Sequence, residues 1–129
     1  MSKTNSINNK SIVGIEFIGD LKKCDSAHLK KIRKDALKKK VSKLVDKYTF
    51  TELGSYYRQF DTGLTGVIAL SESHVAFHTW SEKQYVSLNV FICNYSTNNA
   101  EKAKNLFNDL INLFAPEIVE KKELIRKFV

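Results

Sequence analysis

Between residues 70 and 82 the chain reads Leu-Ser-Glu-Ser-His-Val-Ala-Phe-His-Thr-Trp-Ser-Glu, and Cys93 follows in the next apolar run. Ser71, Glu72 and Ser73 supply two hydroxyls and a carboxylate. His74 and His78 are proton-exchanging groups near neutral pH, and Cys93 is a thiol. So many reactive side chains in an otherwise apolar strand make the stretch a candidate for chemistry. A metal site from His74, His78 and Cys93 fails on reach, because the two rings stand roughly 13 Å apart on a strand rising ~3.3 Å per residue. A serine or cysteine hydrolase has no Gly-x-Ser-x-Gly elbow and no orienting carboxylate here. Taken singly, each group has a plain structural reading: a lone strand histidine is usually a satisfied structural group, and Cys24 is a small buried filler.

The elements that must position these groups follow from apolar periodicity. Ser73 to Trp80 and Tyr85 to Cys93 alternate as strands and are joined by Ser81-Glu-Lys-Gln84, which predicts an antiparallel hairpin. With that loop Trp80 pairs with Tyr85, Val75 falls opposite Val90 and Phe77 opposite Leu88, so apolar meets apolar. His74, Ala76, His78 and Trp80 share the other face. Extending the pairing brings Cys93 beside residues 72 to 74, and the reading expects the thiol, Ser73 and both imidazoles on one side of the sheet.

Around the hairpin, Ile12 to Ile18 reads as a strand closed by Gly19-Asp20. A basic amphipathic helix capped by Asp25 or Ser26 spans about residues 27 to 46. Tyr48 to Thr51 begins a second strand, the aromatic stretch Tyr56 to Phe60 follows, and Asp61-Thr-Gly63 is a turn. Leu64 to Leu70 is β-prone. Asn98 with Glu101 resembles a capping box ahead of a helix that Pro116 stops. A weakly specified strand runs from Glu117 to Ile125. The order β-α-β-β-β-β-α-β predicts an α+β fold: a two-layer sandwich, an antiparallel sheet with two helices on one face. The other face is then free for a partner subunit.

The chain has 129 residues and is 43% hydrophobic, which suits one domain over residues 11–129 behind a mobile start at 1–10. No apolar run approaches the ~20 residues of a membrane span, and the polar start lacks a secretory apolar segment. The reading is a soluble cytoplasmic protein without a membrane partner. In a reducing compartment Cys24 and Cys93 are free thiols rather than a disulfide. The net charge of +7 is concentrated between Lys30 and Lys40, on the solvent side of the first helix. No stacking-aromatic pattern accompanies it, so nucleic acid is not the expected partner.

At Leu70 to Glu82, with Val90-Phe-Ile-Cys93 behind it, the chain resembles the prokaryotic S-adenosylmethionine decarboxylase proenzymes. Their core reads Ile-Ser-Glu-Ser-His-x-x-x-His-Thr-Trp-Pro-Glu and then x-Phe-x-Cys-Gly. The resemblance covers most of the chain and is specific between about residues 63 and 94. It implies self-cleavage between Glu72 and Ser73, with Ser73 becoming an N-terminal pyruvoyl group that forms a Schiff base with substrate. His78 then corresponds to the acid or base of processing, Cys93 to the proton donor, and Trp80 and Glu82 to contacts with adenine and ribose. His74 follows the new cofactor and is read as a contact for the substrate carboxylate or imine. The implied assembly is a homodimer of cleaved protomers acting on a small-molecule substrate, with no metal.

The departures are specific. Thr65 stands for the serine of Gly-x-Ser-Gly and keeps its hydroxyl, which supports processing. Ser81 replaces Pro, and Asn94 replaces Gly. The family's His-x-Phe-x-Pro-x-Gly aligns with Tyr57, Gln59, Asp61 and Gly63, so the aromatic clamp survives only if Phe60 takes it over. The leading reading is decarboxylation of S-adenosylmethionine for spermidine synthesis. Gln59 and Asp61 suit a cationic side chain, which keeps a pyruvoyl-dependent arginine or ornithine decarboxylase as the alternative. An uncleaved regulatory homologue and an RNA-binding module are the readings from other classes.

Overall fold

Period-two alternation marks most of the strands, and six form among the described residues. The computed structural model describes residues 11–94 and 97–129, so the start expected to be mobile lies outside the described residues. The strands are β1 (Ile12–Lys22), β2 (Glu52–Gln59), β3 (Gly63–Leu70), β4 (Ser73–Trp80), β5 (Tyr85–Cys93) and β6 (Ile118–Lys127). They form one sheet in the order β2-β3-β4-β5-β1-β6, and every neighbouring pair is antiparallel. Helices α1 (Ser26–Lys31), α2 (Lys34–Lys47) and α3 (Ala100–Asn112) supply the second layer. This is the α+β sandwich that the alternation predicts.

The core lies between the layers. Phe17, Ile68, Val75, Phe77, Leu88 and Ile92 point from the sheet into it, and Val41, Val45, Leu106, Phe107 and Leu110 meet them from α2 and α3. Phe77 contacts Tyr57 and Phe114 with ring centroids 6.0 and 5.5 Å apart. The lysines of α1 and α2 are exposed, while Leu29, Leu37, Val41 and Val45 are buried, which is the amphipathic division read from the sequence.

Four local expectations are corrected. The single helix over 27–46 is two helices, broken at Ile32 and Arg33. Gln59 bridges the break: its Nε2 donates to Ile32 O at 3.1 Å, and its Oε1 accepts from the Lys34 amide at 2.9 Å. Asp25 precedes α1 but makes no side-chain cap. Residues 48 to 51 do not start a strand, because Tyr48 closes α2 and Thr49 turns back with φ of 64°.

Gly19 and Asp20 do not end β1, which runs on to Lys22. A Cβ on Gly19 would come within 2.9 Å of the Phe107 ring, so this glycine makes room for α3 and does not mark a turn. At α3 the first helical residue is Ala100; its amide donates to Asn98 Oδ1 at 2.9 Å, while Asn99 occupies the cap position.

Replacing Gln59 by Leu removes both bonds across the helix break. We expect a loss of ~1 kcal/mol, read as a lower urea midpoint with an unchanged m-value; an unmoved midpoint means that water satisfies both groups equally well.

Candidate active site

The short loop sets the hairpin. Residues Ser81–Lys83 form one 3-10 turn, Gln84 takes the left-handed conformation at φ 52°, and Trp80 pairs with Tyr85. The register read from the sequence is the one observed: Val75 faces Val90 and Phe77 faces Leu88. All four are buried against the helices. At the opposite end of the hairpin, the Cys93 amide donates to Ser73 Oγ at 2.8 Å. The Cys93 thiol lies 3.9 Å from Glu72 Oε1. A cavity of about 340 Å³ opens beside Glu72, Ser73 and Cys93, with Phe50, Asn99 and Lys102 on its other walls. Asn99 supports this corner, since its Nδ2 donates to Cys93 O at 2.9 Å.

Backbone strain is stored at the same place. Glu72 has φ of 54° in the tight turn between β3 and β4. For a residue with a Cβ this conformation costs roughly 1–2 kcal/mol. The carbonyl beside the Ser73 hydroxyl therefore belongs to a residue held out of its preferred backbone region. The Cys93 thiol is pushed up from its ordinary pKa, first by burial and then by the neighbouring Glu72 carboxylate. It is accordingly a protonated thiol at neutral pH.

The other half of the motif lies elsewhere. Alternation puts Ser73 in step with Val75, on the helix side, while His74 and His78 point to the open face. Ser73 and the two imidazoles are thus not one cluster, contrary to the sequence reading, because strand parity assigns them to different faces. His78 is five positions from Ser73 in a continuous strand, which separates them by about 16 Å. It shares a hydrogen bond of 2.8 Å with Thr65, its cross-strand partner on β3. Trp80 is further along and pairs with Gly63, and its ring lies 5.3 Å from that of Tyr85.

Phe60 belongs to this second end as well, exposed beneath the Arg58 guanidinium at 5.5 Å. Asp61 and Glu82 are exposed in the adjoining turns. The candidate residues therefore form two groups at opposite ends of β4: Glu72, Ser73, His74 and Cys93 at one, and Phe60, Asp61, Thr65, His78, Trp80 and Glu82 at the other.

Between the groups lies a network that the sequence reading did not find. His74 Nε2 is 2.8 Å from Asn89 Oδ1, Asn89 Nδ2 donates to Glu16 Oε2 at 2.8 Å, and Arg126 donates to Glu16 Oε1 at 2.6 Å. The available signal was a lone carboxylate in the apolar run Ile12-Val-Gly-Ile-Glu-Phe-Ile18. Its partners come from β5 and β6, which no spacing in the chain connects. A second cavity of about 420 Å³, on the open face, is bordered by Glu16, Ser73, His74, Phe91 and Arg126.

The fold and the reactive turn define a class, and comparison with known proteins says which. The S-adenosylmethionine decarboxylase family profile matches residues 15–127. A proenzyme of that name from Archaeoglobus fulgidus is 40% identical over 86 residues, covering 66% of this chain and 73% of the relative. Those from Picrophilus torridus and Thermococcus onnurineus are 30% and 33% identical over 91% and 89% of this chain, and over 86% and 80% of theirs. The crystal structure of the adenosylmethionine decarboxylase from Aquifex aeolicus superposes with a TM-score of 0.77 at 24% identity, over 92% of this chain and 94% of that one, and so shares the fold. The chain belongs to the S-adenosylmethionine decarboxylase family, whose members are enzymes acting on a small molecule. No helix among the described residues is long and apolar enough to cross a membrane.

The raised thiol has a measurable consequence. In uncleaved Ser73→Ala protein, alkylation of Cys93 by iodoacetamide should rise with pH later than for an ordinary thiol, because the reacting thiolate forms only above the raised pKa. Glu72→Gln should move the rise back toward lower pH. An unchanged profile removes the carboxylate as a cause.

Proposed function

We propose that this chain decarboxylates S-adenosylmethionine with a pyruvoyl group made from Ser73, supplying the aminopropyl donor for spermidine synthesis. The observation that carries the reading is the hydrogen bond from the Cys93 amide to Ser73 Oγ, directly after the left-handed Glu72. It holds a nucleophile beside a strained carbonyl and leaves the hydroxyl proton free to depart. The residues fit the group, since the only precursor needed is a serine hydroxyl next to an acyl carbon.

In processing, Ser73 Oγ bonds to the Glu72 carbonyl carbon, the C–N bond breaks, and an ester forms. Loss of the Ser73 α-proton expels the Glu72 carboxylate, and water then replaces the nitrogen with release of ammonia. The products are chains 1–72 and 73–129. Hydrogen bonds between β3 and β4 along the whole register from Gly63–Trp80 to Leu70–Ser73 hold them together.

The pyruvoyl group supplies a ketone that condenses with the substrate amine and draws off electrons as carbon dioxide leaves. Cys93, kept protonated by burial and by Glu72, is placed to return a proton to the α-carbon. His78, held by Thr65, is the processing acid or base. Trp80, Glu82, Phe60 and Asp61 form the nucleoside end.

These roles require a second copy. His78 and Trp80 are about 16 and 23 Å along β4 from Ser73, beyond the reach of any side chain. The open face carries exposed Ile18, Val67 and Trp80. A two-fold pair packed through this face with its axis across β4 runs the second β4 in reverse and brings its His78 end to the open-face cavity that Ser73 borders. The functional unit is then a homodimer of cleaved protomers with two shared sites.

Purified protein should run as two fragments divided before Ser73, and Ser73→Ala should remain whole and inactive. Carbon dioxide should be released from S-adenosylmethionine and not from arginine or ornithine; release from a basic amino acid alone overturns the substrate. Co-expression of Ser73→Ala with His78→Ala chains separates a shared site from a single-chain one. Random pairing should leave about half of the His78→Ala chains cut, each served by an intact partner, whereas none is cut if His78 acts within its own chain.

A further inference from the structure

We infer that Arg126, Glu16 and Asn89 form a positioning chain that fixes the imidazole of His74 on the open face, at the rim of the cavity that Ser73 also borders. The inference rests on the pyruvoyl reading, in which His74 is the residue joined directly to the cofactor. Four strands contribute one side chain each across the open face: Arg126 from β6, Glu16 from β1, Asn89 from β5 and His74 from β4.

The chain has a direction that chemistry imposes. A carboxylate only accepts hydrogen bonds, so Asn89 must turn its amide nitrogen toward Glu16 and its oxygen toward His74. That oxygen only accepts, so His74 Nε2 must carry a hydrogen and Nδ1 is the acceptor of the neutral ring. The Glu16 carboxylate thereby determines an amide orientation and then a tautomer, and Arg126 neutralises its charge.

Glu16 is suited to anchor the chain. Its side chain is only 15% exposed, against 56% for Arg126. The hydrogen bond from Asn89, and after it Arg126, hold its carboxyl below the usual carboxylate range. His74, by contrast, is exposed, and Phe91 at 5.9 Å between centroids is its aromatic neighbour. Without the Asn89 bond the ring would turn about its χ angles at little cost. The proposed substrate arrives as an ammonium ion and must lose a proton before its nitrogen can bond to the ketone carbon. An imidazole of fixed tautomer at the rim of the cavity that Ser73 also borders is the group we assign to accept it. The proposal also gives β6 a purpose: all ten of its residues are exposed, yet it delivers Arg126.

The test uses Glu16→Gln, Asn89→Asp and the two together. Glu16→Gln no longer fixes the Asn89 amide, which can turn its NH₂ toward His74 and take the hydrogen off Nε2, and Asn89→Asp keeps the bond to His74 but opposes two carboxylates at Glu16. Together they restore every match, because the new amide accepts from Arg126 and donates to the new carboxylate, which accepts from His74. In the uncleavable Ser73→Ala protein, proton NMR should show a slowly exchanging His74 Nε2–H in the parent, in Asn89→Asp, whose carboxylate still accepts from the ring, and in the double variant, but not in Glu16→Gln. In the processed enzyme, each single variant should lose about tenfold or more in kcat with KM within about threefold, and the double variant should recover to within about threefold of the parent.

The inference is overturned if Glu16→Gln keeps the NMR signal and both single variants keep the rate, or if the double variant is as impaired as the singles. If the parent is neither cleaved nor active, the pyruvoyl reading fails and the NMR arm alone decides the hydrogen-bond chain. Asn89→Leu, which removes the acceptor of His74 Nε2–H, replaces any variant that does not fold and should likewise lose the signal.

Discussion

The register of β4 against β5 is the constraint on which the site depends. The short turn at Ser81–Lys83 fixes it at one end, and the bond from the Cys93 amide to Ser73 Oγ is its consequence at the other. A slip of one residue would turn Val75 and Phe77, both fully buried, to the open face. Each would forfeit about 1.5–3 kcal/mol of burial. The apolar residues on one side of the strand thus hold the reactive residues on the other side, and at its end, in place. Gly66 contributes to the same fit, because a Cβ there would lie 2.4 Å from the Phe77 ring.

Much of this was legible in the sequence, and the reason is local. Alternation and a short loop are properties of neighbouring residues, so the hairpin pairing could be read without knowing the fold. The helix break could not, because it depends on Gln59, which lies 27 positions from Ile32 and reaches it only after the sheet has formed. Gly19 was misread for the same reason: its lack of a Cβ serves Phe107 on α3, and a glycine at the end of an apolar run looks like a turn until that packing is known. Parity was available in the sequence and was applied to Val75 and His74, yet Ser73 belongs with Val75. The reactive group therefore divides between two faces.

The open face shows how polar groups can be carried on a surface suited to burial against another copy. Glu16, Asn89, His74 and Arg126 satisfy one another in a continuous chain, so covering them leaves no charge without a partner. Thr65 and His78 do the same as a pair. Exposed Ile18, Val67 and Trp80 stand among these satisfied groups and supply the apolar area. In the proposed dimer such a face would fix the register, since a shifted copy would set apolar side chains against the charged chain.

Substrate selection is narrowed by what Gln59 and Tyr57 do within the fold. Gln59 is occupied on the helix side, where both ends of its amide hold α1 and α2. Tyr57 packs in the core against Phe77, and burial pushes its hydroxyl well above the ordinary tyrosine range. Neither is free to meet a ligand on the open face, so of the two residues that suited a cationic side chain, Gln59 and Asp61, only Asp61 is left exposed. Phe60, out of step with these two, is exposed at the Trp80 end of the sheet. A one-residue displacement of the aromatic thus frees it from the core packing that holds Tyr57.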